Sequence, residues 1–315
     1  MAATKPEILL VGPLYPPTQA RLEALFEVYR LWEASDRGAL LRRLAEQVRA
    51  IAVYALHGCP AALIDALPRV EIIACLGIGV DAIAVAHARS RGIHVTNTPD
   101  VVTEDTADTA LALMLAVERR IVEGDRFVRQ GRWLAGELRF GRALRGRRVG
   151  IIGLGRIGQA IAERCAAFGT TIAYHGPREK PEAPYPYFVE LVDLARWSDI
   201  LVVAATGGER TRHLVDRGVL EALGPDGTLI NIARGSIVDE TALVAALQSG
   251  AVGAAGLDVF EHEPHVPAAL SALENVVLMP HTGSATHQTR AAMGDLFIDN
   301  LLAHFAGRPL PTPVG

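Results

Sequence analysis

Cysteine is scarce in this chain: three in 315 residues, Cys59, Cys75 and Cys165, widely spaced, in apolar contexts and without a C-x-x-C pair. That excludes a disulfide framework and a zinc ribbon, and the three read as reduced core thiols. An excess of charge of one sign is also missing. The net charge is -4, with 21% of residues charged, so no whole-molecule field would draw nucleic acid or an anionic membrane. Near the N-terminus the apolar run Ile8 to Gly12 covers only five residues, too short for a signal-peptide core or a membrane span, and cytoplasmic residence is the expectation. Internal repeats and low-complexity tracts are absent. What is present is half hydrophobic, long enough for two domains with real cores.

The stretch Val149 to Gly169, VGIIGLGRIGQAIAERCAAFG, organises the rest. A short apolar run leads into Gly153, Gly155 and Gly158, and Ile157, Ile161, Cys165 and Phe168 then recur at the spacing of one helix face. This is strand, tight turn, helix. Glycines there allow a sharp turn, close approach of a pyrophosphate and tight packing of helix on strand. The amides of Gly155, Arg156 and Ile157 would carry the phosphates at the positive end of the helix dipole.

Before it, ILLVG at 8 to 12, AIAVYA at 50 to 55, EIIACL at 71 to 76 and IHVTN at 93 to 97 alternate with helical patterns, as in a small α/β domain. After it come TIAYH at 171 to 175, DILVVAA at 199 to 205, GTLINIA at 227 to 233, AAGLDVF at 254 to 260 and NVVLMP at 275 to 280, enough for a doubly wound parallel sheet. A second glycine pattern, Gly77, Gly79 and Ala82, follows a strand too. Its helix could run only from about Asp81 to Arg91 and no acid follows to hold a ribose, so it is the poorer dinucleotide site. Two readings stay open: a turn whose amides hold a small anion, or simply a close-packed turn. Thr103 to Gln130 reads as one long helix. The basic run Arg139, Arg142, Arg145, Arg147 and Arg148 reads as a solvated or salt-bridged connector.

The strand after the fingerprint ends in His175 with no acid to meet a ribose and repel a 2'-phosphate, and Arg178 follows. That favours NADP(H), with NAD(H) possible. At the carboxyl ends of the later strands stand Thr206, Arg234, Asp258, Glu263 and His281. Each alone is more often structural, but Arg234, Glu263 and His281 lie on the same predicted sheet edge as the nucleotide. Pro264 between His262 and His265 breaks any helical ligand face, so no metal is expected.

With those residues in view, NIARGSIVDE at 231 to 240, GLDVFEHEP at 256 to 264 and PHTGSAT at 280 to 286, together with GLGRIG and LGIGVD, resemble the signature blocks of the D-2-hydroxyacid dehydrogenase family over nearly the whole chain. The nearest branch is that of the glyoxylate/hydroxypyruvate and hydroxyphenylpyruvate reductases. The resemblance implies an α/β chain of two Rossmann-like or flavodoxin-like domains with parallel sheets. A substrate domain, 1–98 and 286–315, would be interrupted by a nucleotide domain, 99–285, with the active site in the cleft and a homodimer built from the nucleotide domain. It implies Arg234 as the holder of the 2-oxoacid, His281 as proton donor, and Glu263 as the carboxylate that favours the charged imidazole. Leu76, Ile78 and Gly79 would meet the substrate. Thr106, Gly153, Gly155, Arg156, Ile157, Gly158, His175, Arg178, Thr206, Ile232, Ala233, Asp258 and Gly283 would meet the cofactor.

Two departures stand out: Gly176 and Pro177 shift Arg178 by one place, and Gly207 and Gly208 replace bulkier residues. The expected reaction is reduction of small 2-oxoacids. A reductase of bulkier 2-oxoacids and a non-enzymatic dinucleotide sensor are the alternatives.

Overall fold

The computed structural model describes Lys5–Val314. These residues form two compact units, one made of the chain up to Val102 and again from Ala285, the other the continuous stretch Thr103–Ser284. Each is built on a single parallel sheet.

In the first unit β1 (Glu7–Leu10), β2 (Glu27–Arg30), β3 (Ala50–Tyr54), β4 (Ile72–Leu76) and β5 (His94–Thr96) lie in the order β2-β1-β3-β4-β5. Strands covered on both faces must be apolar on both. In β3, Ala50 and Ala52 face one core layer while Ile51 and Val53 face the other. Four of these strands are legible as apolar runs. β2, EVYR, is not, because it lies at the sheet edge with none of its side chains fully buried.

In the second unit β6 (Arg148–Ile152), β7 (Thr171–His175), β8 (Ile200–Val203), β9 (Thr228–Asn231), β10 (Ala254–Leu257) and β11 (Val276–Leu278) lie in the order β11-β10-β9-β8-β6-β7. Ile200 and Val202 enter the core on one face, Leu201 and Val203 the core on the other. The chain leaves β6 for β7 on one side and resumes at β8 on the other. The crevice outside the carboxyl end of β6 is therefore the switch point at which such sheets take ligands.

Two helices differ from expectation. The single long helix over Thr103 to Gln130 is in fact two, Thr103–Glu118 and Ile121–Arg129. Arg120 between them is left-handed at φ 54°. The break is tertiary in origin: the Glu118 carbonyl accepts the Arg142 N–H at 2.7 Å, and the buried Glu118 carboxylate pairs with Arg142 at 2.9 Å. Neither glycine nor proline marks the spot in the sequence. The helix expected from Asp81 spans only Val85–Ser90, because Ala82 and Ala84 are tied by main-chain hydrogen bonds to Cys59. The second glycine pattern thus opens no helix of useful length and offers no dipole for a pyrophosphate.

Among the described residues, no helix is long and apolar enough to cross a membrane.

Candidate active site

The fingerprint glycines do three different jobs. Gly153 is at φ 92°, and a Cβ there would lie 2.7 Å from the Ala205 backbone. A Cβ on Gly158 would lie 2.2 Å from the Gly153 carbonyl oxygen, so glycine there lets the helix Arg156–Ala167 lie against β6. Gly155 is different: a Cβ there would meet no atom of the chain within 4 Å. Nothing inside the protein demands glycine at that position, whereas a pyrophosphate laid on the backbone would. As N-cap of the helix, Gly155 brings no side chain to its first-turn amides, which suits an anion there. The residues fit a bound dinucleotide.

Of the other residues expected at the cofactor, His175 ends β7 with its Nδ1 3.1 Å from the Phe188 carbonyl oxygen. Arg178 is exposed beyond it and forms no ion pair among the described residues. Thr206 lies exposed after β8, its carbonyl accepting the Thr211 hydroxyl at 2.8 Å. Ile232 and Ala233 are buried directly after β9, and Thr106 is buried in the helix Thr103–Glu118.

At the carboxyl ends of β9, β10 and β11 the unit gathers Arg234, Glu263 and His281. Nδ1 of His281 is 2.7 Å from Glu263 Oε2, and Glu263 Oε1 accepts the Phe260 N–H at 3.0 Å. Burial works to raise the Glu263 pKa, but the bonds from His281 and Phe260 and the charges of His281 and Arg234 outweigh it, and the carboxyl titrates below its usual range. With Nδ1 committed to a carboxylate, Nε2 is the imidazole nitrogen left for a ligand.

Asp258 holds this arrangement. Its two carboxylate oxygens accept the N–H groups of Thr282 and Gly283, each at 2.8 Å, and its carbonyl accepts the His281 N–H at 2.7 Å. Burial raises its pKa against the pull of those amides and of His281. The clamp keeps His281 in a left-handed conformation at φ 53°, a strained state for a non-glycine residue that surrounding bonds must impose. Gly283 is needed because a Cβ there would lie 2.7 Å from Asp258 Oδ2.

Asn231 is a residue of the candidate site that pattern reading passed over. Buried at the end of β9, it accepts the Ala233 N–H and donates to the Arg234 carbonyl, each at 3.0 Å. It therefore shapes the turn that presents Arg234; a fully buried asparagine closing an apolar strand was the available signal. Gly235 follows Arg234 because a Cβ there would come within 1.9 Å of the Phe260 carbonyl carbon. Thr109, also passed over, donates its hydroxyl to the Gly283 carbonyl at 2.9 Å. A cavity of about 340 Å³ at the opposite, amino edge of this sheet is lined by Glu118, Arg142, Gly253 and Asn275 among others, and by none of Arg234, Glu263 and His281.

Leu76, Ile78 and Gly79 belong to the first unit. Gly77 is at φ 146°, and its N–H donates to Thr98 Oγ1 at 3.0 Å. The Ile78 carbonyl accepts Asn97 Nδ2 at 2.8 Å, and the Gly79 carbonyl faces Cys75 Sγ at 3.7 Å. Among the described residues no acceptor is recorded for the N–H groups of Ile78 and Gly79, which is compatible with the anion-holding reading of this turn.

Comparison with known proteins agrees with this picture. The model of the D-isomer specific 2-hydroxyacid dehydrogenase NAD binding domain matches residues 111–283. The chain is 49% identical to glyoxylate/hydroxypyruvate reductase A of Arabidopsis thaliana over 98% of both chains. It is 48% identical to hydroxyphenylpyruvate reductase of Plectranthus scutellarioides, again over 98% of both. Among solved structures it resembles the NADPH-dependent glyoxylate/hydroxypyruvate reductase of Sinorhizobium meliloti in complex with NADP and malonate. The TM-score is 0.93 and the identity 47%, covering 99% of this chain and 97% of the other.

Proposed function

The chain belongs to the D-isomer-specific 2-hydroxyacid dehydrogenase family, and on that footing we propose that it uses NADPH to reduce small 2-oxoacids, glyoxylate and hydroxypyruvate first, to D-2-hydroxyacids. It is an NAD(P)-dependent oxidoreductase acting on the CH–OH group. The observation that carries the substrate reading is the 2.7 Å contact between His281 and Glu263 with the Arg234 charge beside it.

When bound, the nicotinamide supplies the hydride. Arg234 pairs with the substrate carboxylate and stabilises the charge that gathers on the carbonyl oxygen. His281 delivers its Nε2 proton to that oxygen, so that hydride on carbon and proton on oxygen complete the hydroxyl. Glu263 keeps Nδ1 engaged and steadies the ring. The amides of Ile78 and Gly79, without a recorded acceptor among the described residues, are suited to a carboxylate.

NADPH is the preferred cofactor in this reading. The support is Arg178, exposed and without an ion-pair partner among the described residues, with no acid at the end of β7. A homodimer is supported by the exposed apolar side chains of one segment, Trp133 at 70%, Leu134 at 97% and Phe140 at 91%, and sedimentation reads it directly. Cytoplasmic residence is supported by three buried cysteines that form no disulfide, with the thiols of Cys59 and Cys165 pushed up to about 12 by burial. The identity with hydroxyphenylpyruvate reductase, and the apolar Leu76 and Ile78, favour bulkier 2-oxoacids as the second reading.

The test is steady-state oxidation of NADPH and NADH against glyoxylate, hydroxypyruvate and hydroxyphenylpyruvate, with wild type and Arg178→Ala. The expected result is highest kcat/KM for the small acids with NADPH, and a loss in the variant confined mainly to NADPH. Tight dinucleotide binding without reduction of any 2-oxoacid would make the protein a sensor; equal losses with both cofactors would remove Arg178 from the 2'-phosphate.

A further inference from the structure

One cation of the first unit lacks the partner its burial calls for. The half-buried arginines Arg30, Arg120, Arg142 and Arg164 each hold a carboxylate. Arg290 is half-buried too, yet among the described residues no carboxylate pairs with it. It stands in the first turn of the helix His287–Phe305, whose start is fixed by Thr286 Oγ1 accepting the Thr289 N–H at 3.1 Å. Its guanidinium lies over the Tyr54 ring, 5.7 Å from the centroid, and Nη1 reaches Met293 Sδ at 3.6 Å. A ring face and a thioether hold the group in place but satisfy few of its five donors.

Its position gives the unpaired charge a purpose. Tyr54 closes β3 directly opposite Leu76 in β4, and Leu76 leads into the turn whose Ile78 and Gly79 amides have no recorded acceptor among the described residues. Tyr54, Leu76, Ile78 and Met293 share one apolar cluster, on the sheet face that the helix covers. Arg290 therefore shares the face and the carboxyl edge of Leu76 and Ile78, one strand over from the turn suited to the acid's carboxylate. A guanidinium left there with open donors asks for an oxygen acceptor, and an alkyl or aryl group against it would leave those donors unsatisfied at a cost.

We propose that Arg290, held against Tyr54, is a specificity-determining residue that binds a hydroxyl or carboxylate on the substrate chain beyond its carbonyl carbon. This rests on the 2-oxoacid reductase reading and sharpens it: among small acids, those with an oxygen on C3 or further along are selected over those with a bare or aromatic tail.

The experiment compares wild type, Arg290→Met and Arg290→Lys on hydroxypyruvate, which carries a C3 hydroxyl, and on glyoxylate, which has no C3. Loss of a hydrogen bond to a charged group predicts that Arg290→Met lowers kcat/KM for hydroxypyruvate by about 10- to 100-fold, mainly through KM, and at least tenfold more than for glyoxylate. Arg290→Lys, which keeps the charge, falls between. Equal losses on the two substrates would make Arg290 a packing residue and overturn the proposal, as would no loss on hydroxypyruvate. Calorimetric binding of D-glycerate and glycolate to the same proteins provides a readout independent of turnover. A selective loss of D-glycerate affinity in the variants upholds the Arg290 assignment even for a chain that reduces nothing, and unchanged selectivity overturns it.

Discussion

At the scale of single residues, the site depends on how a carboxylate is kept ionised beside an imidazole. Glu263 has a folded pKa below its ordinary value because its bonds to His281 and Phe260 and the nearby charges outweigh its burial. An acid with a depressed folded pKa stabilises the protein above its unfolded pKa, about 4.3 for glutamate, and that stabilisation is lost as pH falls through the folded value. Glu263→Gln removes this titration. The melting temperature of wild type should exceed that of the variant by the widest margin near neutral pH, and the margin should narrow below about pH 4. Melting curves of both proteins from pH 7 to 3 check this, and a margin independent of pH would mean that the carboxylate's charge does not matter to the fold. The same logic explains the neighbouring Asp258. Its raised pKa reflects burial, which the amides of Thr282 and Gly283 and the charge of His281 offset only in part, and those amide bonds mark it as the residue that shapes the loop on which His281 stands.

At the scale of elements, strand ends and turns carry the function, and glycines show which turns are shaped by the protein and which by a ligand. Gly153, Gly158 and Gly235 are demanded by contacts within the chain, whereas Gly155 is not. Gly155→Ala should therefore leave the melting temperature of the cofactor-free protein within about 2 °C, on the scale of a surface change. It should weaken NADPH by about tenfold or more, roughly 1.4 kcal/mol. Differential scanning calorimetry and a fluorescence titration read the two effects, and unchanged affinity would show that no pyrophosphate lies on that backbone. Elements of this kind were legible because their signals are local: both sheets follow from apolar runs, and the fingerprint from its glycines and helix face. What could not be read depends on residues far apart in the chain. β2 is too polar and too near the edge to stand out. The helix break at Arg120 comes from Arg142 meeting Glu118, and the short helix at Val85 from contacts with Cys59. Asn231 was hidden because its work, bonding Ala233 and Arg234, is visible only once the turn has folded.

At the scale of the whole molecule, two parallel-sheet units divide the chain, and the second carries the fingerprint together with Arg234, Glu263 and His281 on the carboxyl edge of one sheet. Reduction asks for a proton at the moment hydride arrives, and in the proposed mechanism His281, with Nδ1 held by Glu263 and its backbone by Asp258, gives it. The turn proposed to hold the carboxylate and the Arg290 that shares its edge, both in the first unit, extend the proposal to the choice of substrate. The most direct test of the central claim is the turnover of His281→Ala beside its NADPH affinity. The account predicts that kcat for glyoxylate and hydroxypyruvate falls by ~100-fold or more, the scale of a lost general acid, while the dissociation constant for NADPH stays within about twofold, a change of less than 0.5 kcal/mol. Wild-type turnover in that variant would remove His281 from the chemistry and contradict the account.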